Sequence, residues 1–259
     1  MTSPLSPAEA GKAAAAMVSV AEVQPNSIVG LGTGSTAAWM VRALAARRAE
    51  EQLLLTCVPT SDRTAKLARS LGLKVVSLDE VDHIDLTIDG ADEFDPEFRL
   101  IKGGGGAHLR EKLVAAISER MIVITDPSKD VDCLGAFPLP IEVIPYGAAQ
   151  TEARIQAVLA EADVETRDTA IRMKDGVAVR TDEGNLIIDA KLSRIGDPEA
   201  LASALSELPG VVEHGFFLEL CDTVIIGHQD GRAEMRMIGR DSIWREIDMA
   251  AASALPEPA

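Results

Sequence analysis

Residues 89–112 read DGADEFDPEFRLIKGGGGAHLREK. Two aspartates three apart, Asp89 and Asp92, are followed by Lys102, four glycines in a row and a helix start carrying Arg110, Glu111 and Lys112. Four consecutive glycines are costly to order and bury no side chain. A backbone that bare is useful where a ligand lies against main-chain N–H groups. The flanking acids and bases can then do proton chemistry on that ligand. The rest of the chain reads as scaffold and supplementary contacts for this segment.

Working outward, residues 84–88 alternate as a strand and run into Asp89-Gly90-Ala91-Asp92. A short strand at 99–101 leads into Lys102 and the glycine run. The helix expected over 107–120 turns Leu109, Leu113, Ala116 and Ile117 inward and puts Glu111 on the opposite side. Residues 121–125 form the next strand, ending at Asp126-Pro127-Ser128-Lys129.

Upstream, a frayed arm at 1–7 precedes a helix over 8–23 and a buried strand over 27–31. Gly32-Thr33-Gly34-Ser35-Thr36 then opens a helix with apolar positions Ala37, Met40, Val41, Leu44 and Ala45. Such a unit aims N–H groups and the positive end of the helix dipole at one point, which suits a phosphate. It also reads as a plain tight turn. A GxGxxG dinucleotide fingerprint would need glycine at Ser35, and Glu50 and Glu51 precede rather than end the second strand, so the NAD reading is weak. Strand 53–58 ends in Pro59-Thr60-Ser61-Asp62, which caps a helix over 63–70, and 74–78 reads as a further strand.

Gly32–Thr36, Asp89–Asp92, Lys102–Gly106 and Asp126–Lys129 each follow the carboxyl end of an apparent strand. In an open parallel sheet those ends share one edge, where ligands bind, so four segments are expected at one cleft. Composition shifts at Phe137-Pro138-Leu139-Pro140. Beyond it, strand 140–144, helix 147–161, strand 167–173, a hairpin arm at 177–181, strand 186–190, a helix from Asp197-Pro198 and strand 211–217 give the split βαβ, ferredoxin-like order. Asp222–Gly227 is apolar on both faces and is expected to return to the first sheet. The expected fold class is α/β: a Rossmann-like open parallel sheet domain (1–136 plus 218–235) with an inserted smaller α+β ferredoxin-like domain (137–217). Residues 236–259 read as a C-terminal tail, disordered from 250.

With 259 residues, 47% hydrophobic and only 3% aromatic, the core must be filled by Val, Ile, Leu and Ala. A net charge of −16 argues against nucleic acid, because phosphate-backbone binding needs a basic surface. An anionic substrate must therefore be held by a local positive site. Cys57, Cys133 and Cys221 are far apart and form no CxxC, which fits buried thiols in a reducing compartment rather than disulfides or zinc. No run is apolar enough to span a membrane, and Glu22 ends the Ala-rich stretch 13–21 too early for a signal core, so a cytoplasmic protein is expected.

IVGLGTGST, TSDRTAKLA, IDGADEFD, LIKGGGGAHLREK and DPSKDVDCLGAFPLPIEV together resemble, in order and spacing, the signature segments of the ribose-5-phosphate isomerase A family. The resemblance covers roughly residues 8–230. It implies aldose–ketose interconversion of D-ribose 5-phosphate and D-ribulose 5-phosphate, with no metal or organic cofactor, by a homodimer or homotetramer. Carried over by residue, Glu111 would be the base that moves a proton between C2 and C1. Asp89 would assist ring opening and Asp92 would handle hydroxyl protons. Lys102 with Gly103, Gly104 and Gly105 would stabilise the enediolate oxygens. Thr33, Gly34, Ser35, Thr36, Gly90, Ala91, Lys129 and Lys12 would contact substrate. The residue types suit that chemistry, since a proton beside a carbonyl needs a carboxylate or imidazole base and donors aimed at the oxygen that gains charge. The plain readings are a solvated Glu111, turn-capping by Asp89 and Asp92, or a divalent cation on the clustered oxygens. Phosphosugar sensor domains share this fold without turnover, but here all four chemical residues are present and no basic DNA-binding segment accompanies them. Isomerisation of an amino-sugar phosphate is the other alternative, and no residue demands an amino group.

Overall fold

Short runs of buried β-branched and leucine residues set the frame of the computed structural model, which describes residues 5–255. The chain begins α1 (Pro7–Val20), β1 (Ile28–Leu31), α2 (Ser35–Glu51), β2 (Thr56–Pro59), α3 (Asp62–Ser70), β3 (Leu86–Asp89), β4 (Glu93–Phe94) and β5 (Leu100–Ile101). Next come α4 (His108–Ala116), β6 (Met121–Thr125), β7 (Leu139–Val143), α5 (Ala148–Glu161), β8 (Asp168–Ile171), β9 (Met173–Lys174) and β10 (Val177–Ala178). It closes with β11 (Leu186–Lys191), α6 (Pro198–Ser206), β12 (Val211–His214), β13 (Phe216–Phe217), β14 (Thr223–Gly227), β15 (Arg232–Met237), β16 (Ile243–Glu246) and α7 (Met249–Ser253). These fall into two units. One holds residues up to 90, 110–129 and 220 onward, and the other holds 91–109 and 130–219.

The first unit is built on a seven-stranded sheet of order β16-β15-β14-β6-β3-β1-β2. β2, β1, β3, β6 and β14 are mutually parallel, and β15 and β16 add antiparallel at one edge. β14 is the Asp222–Gly227 segment, all of it buried, as its two-sided apolarity requires. α1 lies on β6, β14 and β15. Ala13, Ala14, Ala15 and Ala16 go round a full turn and are all buried, because the helix is covered by α2 as well as by the sheet, and such small side chains allow close approach on both sides. Leu31, Met40, Leu44, Ile88, Ile122 and Ile225 complete this core. Burial pushes the Cys57 thiol up to about 12, whereas Cys133 and Cys221 are only half-buried.

The second unit contains a four-stranded antiparallel sheet, β12-β7-β11-β8, covered by α5 and α6 around Ile141, Ile155, Leu159, Ile188 and Leu205. β7-α5-β8-β11-α6-β12 in that spatial order is the ferredoxin-like arrangement. A second small sheet, β13-β5-β4, belongs to the same unit.

Three expectations change. Residues 91–109 and 130–136 sit with the smaller unit rather than the larger, because β4 and β5 pair with β13. Residues 74–78 make only a bridge from Val75 to Cys57, not a strand. Residues 236–259 are not a tail through their described part. β15 runs to Met237, β16 pairs along it, and α7 packs on α1 with Ala252 fully buried. The alternation of Ala233 and Met235 inward supplies the apolar face that holds them. Ser6 caps α1, so the expected frayed arm is ordered from there, while its residues 1–4 and tail residues 256–259 lie outside the described residues.

Glu142 of β7 is fully buried in the second unit and accepts from Thr181 Oγ1 (2.8 Å) and Asn185 Nδ2 (2.9 Å). Burial raises its pKa, against those hydrogen bonds and with Glu183 and Glu213 adding to the rise. A carboxyl whose folded value is raised stabilises fully below its unfolded value and loses that contribution as pH rises through the folded value. Glu142→Gln is therefore expected to flatten the loss of stability between acid and neutral pH, read by urea unfolding across that range. A pH profile unchanged from wild type would show that Glu142 does not titrate during folding.

Candidate active site

β1 and β3 lie side by side, and both end at the carboxyl edge of the parallel sheet. Gly32 N–H continues the pairing by donating to Ile88 O (2.9 Å). Asp89, fully buried, then takes over: its Oδ1 accepts from Thr33 N–H (2.9 Å) and from Gly90 N–H (2.7 Å). This works only because residue 32 is glycine, since a Cβ there would stand 2.1 Å from Asp89 Oδ1. Thr33 Oγ1 enters a hydroxyl cluster with Thr60 (2.7 Å) and Ser61 (2.8 Å), while Thr64 Oγ1 donates to Gly32 O (3.0 Å). Ser61 caps α3 as expected, and Thr60 is wholly buried. Gly34, at φ 114°, starts α2, and Gly34 and Ser35 are exposed with Thr36 half-buried. The loop is therefore open to solvent, as a binding loop must be.

β6 neighbours β3, so Asp126–Lys129 leaves the sheet at the same edge. Asp126, Pro127 and Ser128 line a cavity of about 570 Å³ with Lys12, Gly227 and His228. Lys12 Nζ is hydrogen-bonded to Glu9 Oε1 (2.7 Å), and Glu9 Oε2 accepts from Trp39 Nε1. Burial pushes the Glu9 carboxyl upward, but these two donors outweigh it and hold it below the usual range. Lys129 closes a short 3₁₀ turn and is half-buried.

Glu111 lies in α4 with only 4% of its surface exposed. This reverses the expected orientation of that helix. The inward face carries His108, Glu111, Val114 and Ala115, whereas Leu113 (49% exposed) and Ile117 point outward. The helix also ends at Ala116 rather than 120. Arg110 Nη1 ties α4 to Asp62 of α3 (2.8 Å), which holds the Asp62 carboxyl below its ordinary range.

The remaining predicted residues belong to the second unit, and the strand that precedes them, β5, is in the three-stranded sheet rather than the parallel one. Lys102 is 2% exposed and sets its ammonium 5.3 Å from the centre of the Phe217 ring. Gly103, at φ 104°, packs on His108, whose Nδ1 would be 2.7 Å from an added Cβ. Gly104 donates its N–H to Asp92 Oδ2 (2.7 Å) and has no room for a side chain against that carboxylate. On the opposite side, Arg172 Nη1 donates to Gly103 O (2.8 Å) and Gly104 O (3.1 Å), while its Nε and Nη2 hold Asp189. The sequence reading missed Arg172 and Asp189. The available signal was an acid, Asp189, within the otherwise apolar run 186–190.

For a cation, the described residues offer one group, His83, Asp85 and Glu119, at the start of β3 and so at the edge opposite Asp89.

A family model for ribose 5-phosphate isomerase A (phosphoriboisomerase A) matches residues 56–231. Ribose-5-phosphate isomerase A of Dinoroseobacter shibae is 54% identical over 246 residues, which is 95% of each chain. The chain belongs to the ribose 5-phosphate isomerase A family. Solved structures agree with membership in this isomerase family. The ribose 5-phosphate isomerase from Plasmodium falciparum superposes with TM-score 0.84 at 34% identity, over 90% of this chain and all of that one (100%). A D-ribose-5-phosphate isomerase in complex with phospho-erythronic acid gives TM-score 0.80 at 36% identity, over 88% of this chain and 97% of that one. Among the described residues of this ribose 5-phosphate isomerase A family member, no helix is long and apolar enough to cross a membrane.

Gly32→Ala is expected to drive a methyl group into Asp89 and to cost about 1–3 kcal/mol of stability, as overpacking does. Thermal melting and turnover should fall together. A variant with native melting and native activity would show that the Asp89–Thr33 contact does not organise the loop.

Proposed function

We propose that the chain interconverts D-ribose 5-phosphate and D-ribulose 5-phosphate through an enediolate, as the isomerase of the non-oxidative pentose phosphate pathway. The observation that carries this reading is the burial of Glu111. A glutamate on a helix is ordinarily solvated, yet this one is turned inward on the helix that leaves the glycine run. A carboxylate withdrawn from water can take a proton from C2 and return it to C1 without losing it to solvent.

In this mechanism Asp89 assists ring opening and Asp92 relays hydroxyl protons. Lys102 and the amides of Gly103, Gly104 and Gly105 meet the negative charge that develops on the enediolate oxygens, the role of an oxyanion hole. Thr33, Gly34, Ser35 and Thr36 hold substrate with Gly90, Ala91, Lys129 and Lys12. Support for the loop comes from its exposure at the start of α2, where N–H groups and the helix dipole favour an anion. No metal or organic cofactor takes part. On the family resemblance, the enzyme is cytoplasmic and a homodimer or homotetramer.

The test is ketose formation from ribose 5-phosphate by the wild type and by Glu111→Gln, each with EDTA present. Wild type should turn over at a rate unaffected by the chelator. The variant should lose kcat by about 10²–10⁴-fold, the usual contribution of a general base, with KM little changed. Native turnover by the variant would remove Glu111 as the base. Loss of wild-type activity in EDTA, restored by Mg²⁺, would overturn the metal-free mechanism. Binding without turnover by the wild type would make the protein a phosphosugar sensor.

A further inference from the structure

The glycine run has two faces, and the peptide bond keeps them apart. In a trans peptide the carbonyl of one residue and the N–H of the next point in opposite directions. The carbonyls of Gly103 and Gly104 both accept from Arg172 Nη1. The amides across those same two peptides are the N–H groups of Gly104 and Gly105, and they point away from the guanidinium. Gly104 N–H is found on Asp92 Oδ2, so the amide face of the run is the face that carries Asp92. Gly103 O also closes the turn by accepting Gly106 N–H (3.0 Å), which engages both of its lone pairs.

Arg172 is itself immobilised. Its N–H donates to Ile187 O (2.8 Å), and its Nε and Nη2 form a two-pronged pair with Asp189. Asp189 sits on β11, a strand paired on both sides, by β7 and β8. The two side chains are 15% and 22% exposed. Only an arginine can grip a carboxylate with two donors and still present a third to neighbouring carbonyls, because its donors form a rigid planar fork. A carbonyl that accepts from a cation also polarises its peptide, which makes the N–H on the far side a better donor.

We propose that Arg172, held by Asp189, is a positioning residue for the isomerisation: by clamping the carbonyls of Gly103 and Gly104 it keeps the Gly104 amide on Asp92 Oδ2 and aims the Gly105 amide at the substrate oxygen that becomes negatively charged. This rests on the isomerase reading and deepens it. Arg172 touches no substrate. It acts through the backbone, and its effect is felt chiefly when charge develops.

The experiment compares wild type, Arg172→Lys, Arg172→Met and Asp189→Asn, with melting temperatures recorded for each. Four quantities are read: kcat and KM for ribose 5-phosphate, and inhibition by phospho-erythronic acid and by ribitol 5-phosphate. The first inhibitor carries a carboxylate in place of the reacting carbons, and the second carries the phosphate and hydroxyls without that charge. The clamp predicts a kcat loss of about 10–100-fold, below the cost of deleting an oxyanion donor outright. Phospho-erythronic acid should weaken by a similar factor, while KM and ribitol 5-phosphate inhibition stay near wild type. Arg172→Lys should not rescue, because it keeps the charge but loses the fork. Equal weakening of both inhibitors, or native kcat in Arg172→Lys, would overturn the clamp while leaving the isomerase reading intact. A wild type without turnover would overturn the isomerase reading and the clamp with it. Should Arg172→Met fail to fold, Asp189→Asn and Arg172→Lys decide the matter, since both keep most of the packing volume.

Discussion

One oxygen organises the carboxyl edge of the parallel sheet. Asp89 Oδ1 accepts two backbone N–H groups, from Thr33 across β1 and from Gly90 on its own strand. The side chain is fully buried, and in so low a dielectric each hydrogen bond is electrostatically stronger than it would be in water. The contact fixes where β1 stops, which obliges residue 32 to be glycine and swings Thr33 onto Thr60 and Ser61. With Thr33 anchored, Gly34 takes its left-handed φ and α2 can begin with its first turn facing solvent. A single carboxylate thus sets the geometry of an exposed anion-favouring loop without lying in that loop itself.

The acids that follow Asp89 show how one side-chain type is divided among unlike tasks. Asp92 meets Gly104 N–H. Glu93 is buried and accepts from the N–H groups of Gly135 and Phe137, closing a distant loop onto β4. Asp95 is buried too, accepts from Glu97 and Arg99 N–H, and pairs with the Arg99 side chain (2.6 Å). Glu93 thereby satisfies the buried Gly135 N–H, which would otherwise cost about 1–3 kcal/mol. Nothing in DGADEFD marks Glu93 as an acid with a loop to hold, because its partner Phe137 lies 44 residues away.

Period and punctuation carried the five parallel strands of the sheet, the capped start of α3 and the ferredoxin-like order, because each is set by residues close in sequence. The face of α4 was not legible in the same way. Apolar spacing pointed Leu113 and Ile117 inward, yet His108 and Glu111 occupy the buried side. Tertiary demand overrode periodicity there: a helix that brings a glutamate inside must give up part of its apolar stripe to solvent. The C-terminal strands were hidden for a different reason. β15 and β16 mix Arg and Glu with a few inward apolar residues, and they are held by β15 pairing onto β14 and β16 onto β15, partners that pattern alone does not reveal.

The four glycines present the sharpest balance of forces. Each residue without a side chain loses about 0.5–1 kcal/mol relative to alanine when it is ordered. Sterics nonetheless forbid anything larger at Gly103 against His108 and at Gly104 against Asp92, while Gly106 needs its left-handed φ. A run so poor in contacts of its own must be held by others. Asp92 takes it from one side, Arg172 from the other, and Lys102 anchors its start by donating its N–H to Gly215 O (2.8 Å). The chain as a whole carries a net charge of −16. The field of the whole molecule repels an anion, so a phosphate or an enediolate must be met by charge and N–H dipoles placed within a few ångströms. Rigid glycine amides answer that need better than flexible side chains, because a dipole already oriented has no reorganisation left to undergo when the charge appears.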